Sequence, residues 1–213
     1  MDIAIIGAGN VGRALATSSV RAGHSVVISA TDPAHAQDAA GSAGAKAASS
    51  NAEAVGGAET VILAVPVDAV GAIIDELGAA LDGKVVVDVA NRVDPDDPGA
   101  VLDGTSTAET LQSRVPSARV VKAFNTAFAS RQADPIVDGV RVDGYVAGDD
   151  AEAKAAVLQL VESIGFVPVD VGPLAMSRAL EGMGLLNISL NIRNGWPWQD
   201  GWKLVGPTGT TQA

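Results

Sequence analysis

The feature that most constrains this chain is a glycine fingerprint set directly behind its first apolar run. Residues 3–6 read Ile-Ala-Ile-Ile; Gly7-Ala8-Gly9-Asn10-Val11-Gly12 follows without a break and opens an amphipathic segment with Val11, Leu15 and Ala22 on one face. Alone, a G-x-G-x-x-G pattern is weak. Between a strand and a helix it is specific, because each glycine has its own task. Gly7 permits the tight turn, Gly9 lets the backbone approach a pyrophosphate, and Gly12 lets the helix pack closely on the strand. Two linked phosphates then rest on the helix N-terminus, where free N–H groups and the positive end of the dipole point at them.

Short, continuous apolar runs recur at residues 3–6, 26–28, 45–48, 61–65, 85–89, 120–124, 145–147 and 167–171. Continuous rather than alternating apolarity suits parallel strands covered on both faces. Between them lie helical patterns: Val70, Ile73, Ile74, Leu77 and Leu81 share one face over 67–81, as do Val157, Leu160, Val161 and Ile164 over 150–164. Ser50 with Glu53, Ser106 with Glu109, and Asp149 with Glu152 have the spacing of a reciprocal helix cap. The expectation is an α/β fold: a doubly wound, mostly parallel Rossmann sheet of about eight strands with a short C-terminal helical extension. Residues 1–172 form the nucleotide-binding domain and 173–213 a C-terminal helix and a tryptophan-containing tail. The stretch from Val93 to Thr105 reads as a surface loop, and the tail beyond Thr208 as mobile.

Composition narrows the function. With 47% apolar and 18% charged residues, the 213-residue chain can bury a full core. Its net charge of -11 opposes binding to nucleic acid or anionic membranes, and no apolar run reaches the roughly 20 residues of a membrane helix. A cytoplasmic protein is expected. Cysteine is absent, which removes disulfides, thiolate metal sites and cysteine nucleophiles, and no metal site is expected.

The second strand ends Ser29-Ala30-Thr31-Asp32. A carboxylate at its end would favour the ribose hydroxyl of NAD; here Ser29 and Thr31 offer hydrogen-bond donors and Asp32 comes late, which favours NADP, with NAD the alternative. Arg13 is a candidate for the missing positive charge, against a plain solvated helix residue. In the usual strand order the loops Ala64-Val65-Pro66 and Ala90-Asn91 flank the nicotinamide, and Phe124-Asn125-Thr126 arrives at the same edge. Their convergence on one crevice makes at least one of them a substrate or cofactor contact.

These segments together with Val121-Lys-Ala-Phe-Asn-Thr126, Val146-Ala-Gly-Asp-Asp150, Asp170-Val-Gly-Pro-Leu174 and Arg178 resemble the NADPH-dependent reductases of the deazaflavin coenzyme F420. These are the F420H2:NADP oxidoreductases, related to the N-terminal domain of pyrroline-5-carboxylate reductase; similar sequences form the cytosolic domain of six-transmembrane ferric reductases. The likeness covers residues 1 to about 191. It implies a homodimer that moves a hydride between C5 of the deazaflavin and C4 of the nicotinamide. By match, Gly9, Asn10 and Val11 contact the pyrophosphate, Ser29, Ala30 and Thr31 face the 2′-phosphate, and Pro66, Asn91 and Asn125, Thr126 and Ala127 surround the paired rings. Two segments depart from the family pattern: Ala30 and Thr31 stand where members carry arginine, and Arg92-Val93-Asp94-Pro95 replaces an apolar segment.

Direct hydride transfer between ring carbons needs proximity, alignment and exclusion of water more than a protein acid or base, so no catalytic acid or base is assigned. His24 and His35 read as turn and helix-start residues, and Asp88 and Asp170 as strand-end carboxylates bonding backbone amides. Trp196, Trp198 and Trp202 anchor the tail or a subunit contact, the alternative being a lid over the cofactor. Two other functions stay open: an NADPH-dependent reductase of another acceptor (imine, carbonyl, flavin or ferric chelate), and a non-catalytic dinucleotide sensor. Against an imine reductase stands the short stretch after the last strand, where such enzymes add a helical domain of roughly 100 residues.

Overall fold

A computed structural model describes residues 1–93 and 104–206. The loop expected between Val93 and Thr105 falls outside them except at its ends, as does the tail beyond Thr208. Ten strands are described: β1 (Asp2–Ile6), β2 (Ser25–Ser29), β3 (Lys46–Ala47), β4 (Thr60–Leu63), β5 (Val85–Asp88), β6 (Arg119–Ala123), β7 (Ile136–Val137), β8 (Val140–Arg141), β9 (Asp143–Gly148) and β10 (Val167–Asp170). Eight make one sheet in the order β10-β9-β6-β5-β4-β1-β2-β3, while β7 and β8 pair by themselves. All sheet neighbours are parallel except β6 and β9, so β9 and β10 run against the other six. The eight-stranded sheet matches the apolar runs; the small β7–β8 hairpin, which turns the chain round before β9, has no such run to announce it.

Helices α1 (Asn10–Arg21), α2 (Pro33–Ala43), α3 (Asn51–Gly56), α4 (Val67–Leu77), α5 (Thr107–Arg114), α6 (Ala129–Ala133), α7 (Ala151–Ser163) and α8 (Ser177–Asn194) link or follow the strands. Alternate residues of β1 feed two cores. Ile3 and Ile5 pack with Leu15, Ala16, Ala39, Val157 and Leu160 from α1, α2 and α7. Ala4 and Ile6 pack with Val55, Ile74, Leu77 and Leu111 from α3, α4 and α5. A strand buried on both faces needs apolar residues throughout, which is why its sequence does not alternate.

The caps refine the expected boundaries. At Ser106 both halves of the capping box form: its hydroxyl accepts from Glu109 N at 3.2 Å and its own N–H donates to Glu109 Oε2 at 2.9 Å. Ser50 caps Glu53 N at 3.1 Å, but the Glu53 carboxylate takes the amide of Ser49 instead. At α7 the cap is Asp150, which accepts from Ala153 N at 2.8 Å, and not Asp149, which accepts from Leu174 N at 2.8 Å. The reciprocal spacing belongs to Asp149 and Glu152 alone, yet Asp149 is taken by Leu174 and the neighbouring Asp150 caps the helix without a carboxylate three residues on. The helical pattern over 67–81 divides at Gly78 into α4 and a 3-10 turn, Gly78–Leu81, that keeps Leu81 buried.

Beyond α8 the tail is held by named contacts. Asn191 receives Trp198 N at 3.0 Å and donates to Asp200 at 2.8 Å; Ser130 donates to the Trp198 carbonyl at 2.6 Å. Buried Asp143 accepts from Lys203 Nζ at 2.7 Å and Leu204 N at 2.6 Å, and Trp202 packs against Tyr145 and Leu180. Burial, with Asp143 adding to it, pushes the Tyr145 hydroxyl up to about 12.

Candidate functional site

The turn after β1 is built by close approach. Gly7 has φ +110°, and a Cβ there would lie 2.2 Å from the Ala64 carbonyl oxygen; one on Gly12 would lie 1.9 Å from Gly7 O. A Cβ on Gly9 would meet nothing within 4 Å. The chain itself therefore forbids side chains at Gly7 and Gly12 and leaves open space at Gly9, as expected where a ligand takes the place of a side chain. Gly9 is also the N-cap of α1, and no side chain caps this helix or places an acid in its first turn. Its leading N–H groups are thus left for an anion.

From this turn a groove runs along the C-terminal ends of the strands. Its first part, about 410 Å³, lies between Gly7–Gly9, Ala30–Asp32, His35, Asn51 and Ala64–Pro66. Its second, about 310 Å³, shares Gly9 and Ala64–Pro66 and adds Asn10, Val11, Val67 and Val89–Asn91. A third of about 130 Å³ shares Val11, Val89 and Asn91 and is closed by residues 124–129, Gln132, Gly184, Asn187 and Ile188. The structure thus brings Gly7, Gly9, Asn10, Val11, Ala30, Thr31, Ala64, Val65, Pro66, Ala90, Asn91, Phe124, Asn125, Thr126 and Ala127 around three cavities that share walls.

Three residues singled out from the sequence stand apart. Gly12 serves packing behind the turn. The Ser29 side chain is buried and donates to Asn51 Oδ1 at 2.7 Å, so it faces the interior rather than a 2′-phosphate. Arg13 donates to Ala8 O at 3.0 Å and pairs with Asp38 on α2 at 2.7 Å, which turns it toward the helix surface. The basic side chain that does line the cavity is His35, 3.9 Å from the Asp32 carboxylate in the first turn of α2. His35, Asn51, Gln132, Gly184 and Asn187 were not anticipated as lining residues. Only His35, three residues behind the cap of a helix that starts just past the second strand's end, carried a local signal.

At the ring end the backbone is constrained. Phe124 is buried with φ +64°, a conformation that a bulky residue adopts only under constraint. Gln132 Nε2 donates to its carbonyl at 3.1 Å and to that of Ala127 at 3.0 Å, and its ring meets Phe166 edge-on at 6.2 Å. Asn91 and Asn125 bond reciprocally: Asn91 Nδ2 donates to Asn125 O at 2.6 Å and Asn125 Nδ2 to Asn91 Oδ1 at 2.8 Å. A Cβ on Gly184 would come within 2.5 Å of Asn91 Oδ1, so α8 approaches this loop as closely as glycine allows.

Beneath the Ala90–Asn91 loop lies an ionic cluster. Lys122, fully buried, donates to Asp88 at 2.9 Å, Glu181 at 3.1 Å, Thr107 Oγ1 at 2.8 Å and the Ala90 carbonyl. Arg92 pairs with the other oxygen of Glu181 at 2.9 Å. Burial works to raise the Glu181 pKa, but Lys122, Thr107 and Arg92 outweigh it and hold the group ionised below its usual range. Asp88 Oδ1 also accepts from Ala90 N at 2.9 Å and Asp170 from Gly172 N at 2.8 Å, the backbone role expected of both. Charged groups buried in such a network are costly to separate, so the cluster fixes the loop that borders the groove. Among the described residues no group of three His, Asp or Glu side chains is placed to hold a metal ion, and no helix is long and apolar enough to cross a membrane.

Comparison with known proteins agrees with this geometry. Residues 2–92 match the family described as NADP oxidoreductase coenzyme F420-dependent. The F420-dependent NADP reductase of Methanothermobacter marburgensis is 32% identical over 213 residues, covering 91% of this chain and 94% of that protein. The rat metalloreductase STEAP3 is 36% identical over 185 residues, covering 86% of this chain; the chain spans only 36% of that relative's length. A solved structure from Arthrobacter sp. FB24, assigned as an F420-dependent NADP reductase, superposes with a TM-score of 0.87 at 30% identity, covering 97% of this chain and all of that one.

Proposed function

The chain belongs to the family of F420-dependent NADP reductases, and from that premise we propose that it transfers a hydride between NADP(H) and the deazaflavin coenzyme F420. It is an oxidoreductase, and NADP and F420 are the coenzymes of its family. The observation that carries the reading is the open backbone at Gly9, from which a chain of cavities with shared walls leads past Pro66 and Asn91 to residues 125–127.

In this reading Gly9, Asn10 and Val11 offer their N–H groups to the pyrophosphate, and Ala30, Thr31 and His35 border the adenosine end. Pro66, Asn91 and residues 125–127 border the nicotinamide. The two coenzymes supply the redox chemistry, carbon to carbon, when their rings stack. What the chain contributes is orientation and a dry wall: Val89, Phe124 and Ala127 exclude water, and the Lys122 cluster holds the Asn91 loop in place. No side chain at the ring end has to move a proton for this step.

A homodimer is part of the proposal. On α8, Leu186 and Ile192 are 50% and 64% exposed, and Met183 and Leu190 are half-buried, an apolar surface of the kind a second subunit covers. The cytoplasm, where NADP(H) is held, is the compartment this reading implies. The test is direct: mixing reduced F420 with NADP and the purified chain should produce NADPH absorbance at the expense of the reduced deazaflavin. No NADPH at any NADP concentration would defeat the proposal.

A further inference from the structure

The cavity at the adenosine end is charged in a way that does not suit a 2′-phosphate. Among the described residues that line it there is no lysine or arginine, while a carboxylate, Asp32, stands on its wall. β2 ends at Ser29, yet Asp32, at the N-cap of α2, still lines the cavity. Its Oδ1 accepts from Ala34 N at 2.9 Å, which holds the carboxylate in place, and its side chain is 58% exposed. The basic side chain on the same wall is His35, 72% exposed; its Nε2 lies 3.9 Å from Asp32 Oδ2, so a carboxylate already faces whatever charge the ring carries. The two groups that the sequence offered to a phosphate are committed elsewhere, the Ser29 hydroxyl to Asn51 Oδ1 and the Arg13 guanidinium to Asp38. Asn51 in turn donates to Glu76 on α4 at 2.8 Å, which brings a second carboxylate up to the wall. What the segment after β2 adds as a donor is the hydroxyl of exposed Thr31, which is neutral.

We propose that this end of the groove does not select for a 2′-phosphate, so that the chain takes NAD(H) as well as NADP(H), with Asp32 setting the balance. This rests on the dinucleotide reading above and departs from the coenzyme of the chain's relatives. Near the end of the second strand an acid suits a ribose hydroxyl, which donates to it, whereas an arginine suits a phosphate, whose oxygens accept from the guanidinium fork. A phosphate monoester carries about -1.5 to -2 charge at pH 7. Beside Asp32 it meets like charge, and no guanidinium among the described lining residues offsets the repulsion. A ribose hydroxyl in the same place has an acceptor in Asp32 Oδ2, the oxygen that Ala34 leaves free. The net charge of -11 works in the same direction, because it disfavours each further negative charge on a ligand. The chemistry is indifferent to the exchange. The nicotinamide is the same in both coenzymes, so C5 of the reduced deazaflavin passes its hydride to C4 of NAD⁺, and the second hydrogen leaves as a proton to solvent.

The experiment is titration calorimetry on the full chain with NAD⁺ and NADP⁺ at neutral pH and one fixed salt concentration. The wild type should bind NAD⁺ within about tenfold of NADP⁺. Asp32→Asn removes the charge and keeps the cap, since asparagine caps a helix as well as aspartate does. It should tighten NADP⁺ by about threefold or more and leave NAD⁺ unchanged or weaker, a change in ratio that a purely structural role would not produce. Thr31→Arg, on the exposed segment after β2, should raise the preference for NADP⁺ over NAD⁺ by about tenfold or more. A wild type that prefers NADP⁺ by more than about tenfold, or an Asp32→Asn variant that shifts both coenzymes equally, would overturn the proposal. Binding of neither coenzyme would remove the dinucleotide groove along with it. Comparable binding of both, with no NADH or NADPH formed from reduced F420, would uphold the balance at Asp32 and defeat only the assignment of F420 as the partner.

Discussion

The three glycines of the turn can be separated by experiment, because the structure gives them opposite reasons for lacking a side chain. Gly12→Ala places a methyl 1.9 Å from the Gly7 carbonyl oxygen, about 1.5 Å inside the ~3.5 Å at which such atoms meet. Relief requires the helix or the turn to move, so the cost lies at or beyond the top of the ~1–3 kcal/mol typical of overpacking, only partly offset by the ~0.5–1 kcal/mol that alanine gains over glycine in a helix. A net loss of about 3 kcal/mol corresponds to roughly 6–12 °C in a chain of this size. Gly9→Val is the reverse. Gly9 sits at φ -74°, ψ -171°, open to any residue, with nothing within 4 Å of its added Cβ. Valine is a poor N-cap, which costs about 1 kcal/mol, or roughly 2–4 °C. The side chain occupies the space of the pyrophosphate, and losing two charge-assisted bonds of about 1.5–3 kcal/mol each weakens NADPH by roughly 10²–10⁴-fold. Scanning calorimetry without ligand and titration with NADPH measure the two effects. If Gly9→Val melts as low as Gly12→Ala, or binds NADPH within about threefold of the wild type, the division of labour is wrong.

Other outcomes follow from the buried charges and the apolar surface. Lys122→Met leaves Glu181 buried with one cationic partner fewer, and should cost about 3–5 kcal/mol at neutral pH. Because losing Lys122 raises the folded-state pKa of Glu181, the deficit should narrow as pH falls and Glu181 takes up a proton; a deficit in urea unfolding that stays constant from pH 7.5 to 5 would contradict this. Glu109 is drawn from an ordinary 4.5 down to about 2, chiefly by Arg178, with the Ser106 cap helping against some burial. A depressed carboxylate contributes fully above its unfolded pKa and loses its contribution as pH drops through the folded value, so the stability gap between wild type and Glu109→Gln should close between pH 4.5 and about 2. Asp143→Asn should release the Lys203 and Leu204 contacts and speed trypsin cleavage after Lys203, while an unchanged cleavage rate would show the tail is held elsewhere. Leu186→Glu on the exposed face of α8 should convert a dimer to monomers in sedimentation velocity, and a dimer that persists would move the interface off this helix.

Much of the architecture is legible in one dimension. Residues 3–6 are apolar at every position because β1 is covered on both faces, and that alone separates a doubly wound sheet from a one-sided one. The spacing of Gly7, Gly9 and Gly12 fixes the turn because backbone close approach is a local property of a few consecutive residues. Direction and partnership are another matter. Nothing in the apolar run at 145–147 says that β9 runs antiparallel to β6, since a buried strand has the same composition either way. Ser29 and Arg13 looked suited to a phosphate by position, yet Asn51 takes the hydroxyl and Asp38 the guanidinium, partners 22 and 25 residues away along the chain. Gln132, Gly184 and Asn187 carry no local mark at all. Gly184 and Asn187 reach the ring cavity only because α8 folds back within a glycine's thickness of Asn91, a long-range contact that leaves no periodic trace in the sequence, while Gln132 is held there from α6 by its bonds to the Phe124 and Ala127 carbonyls.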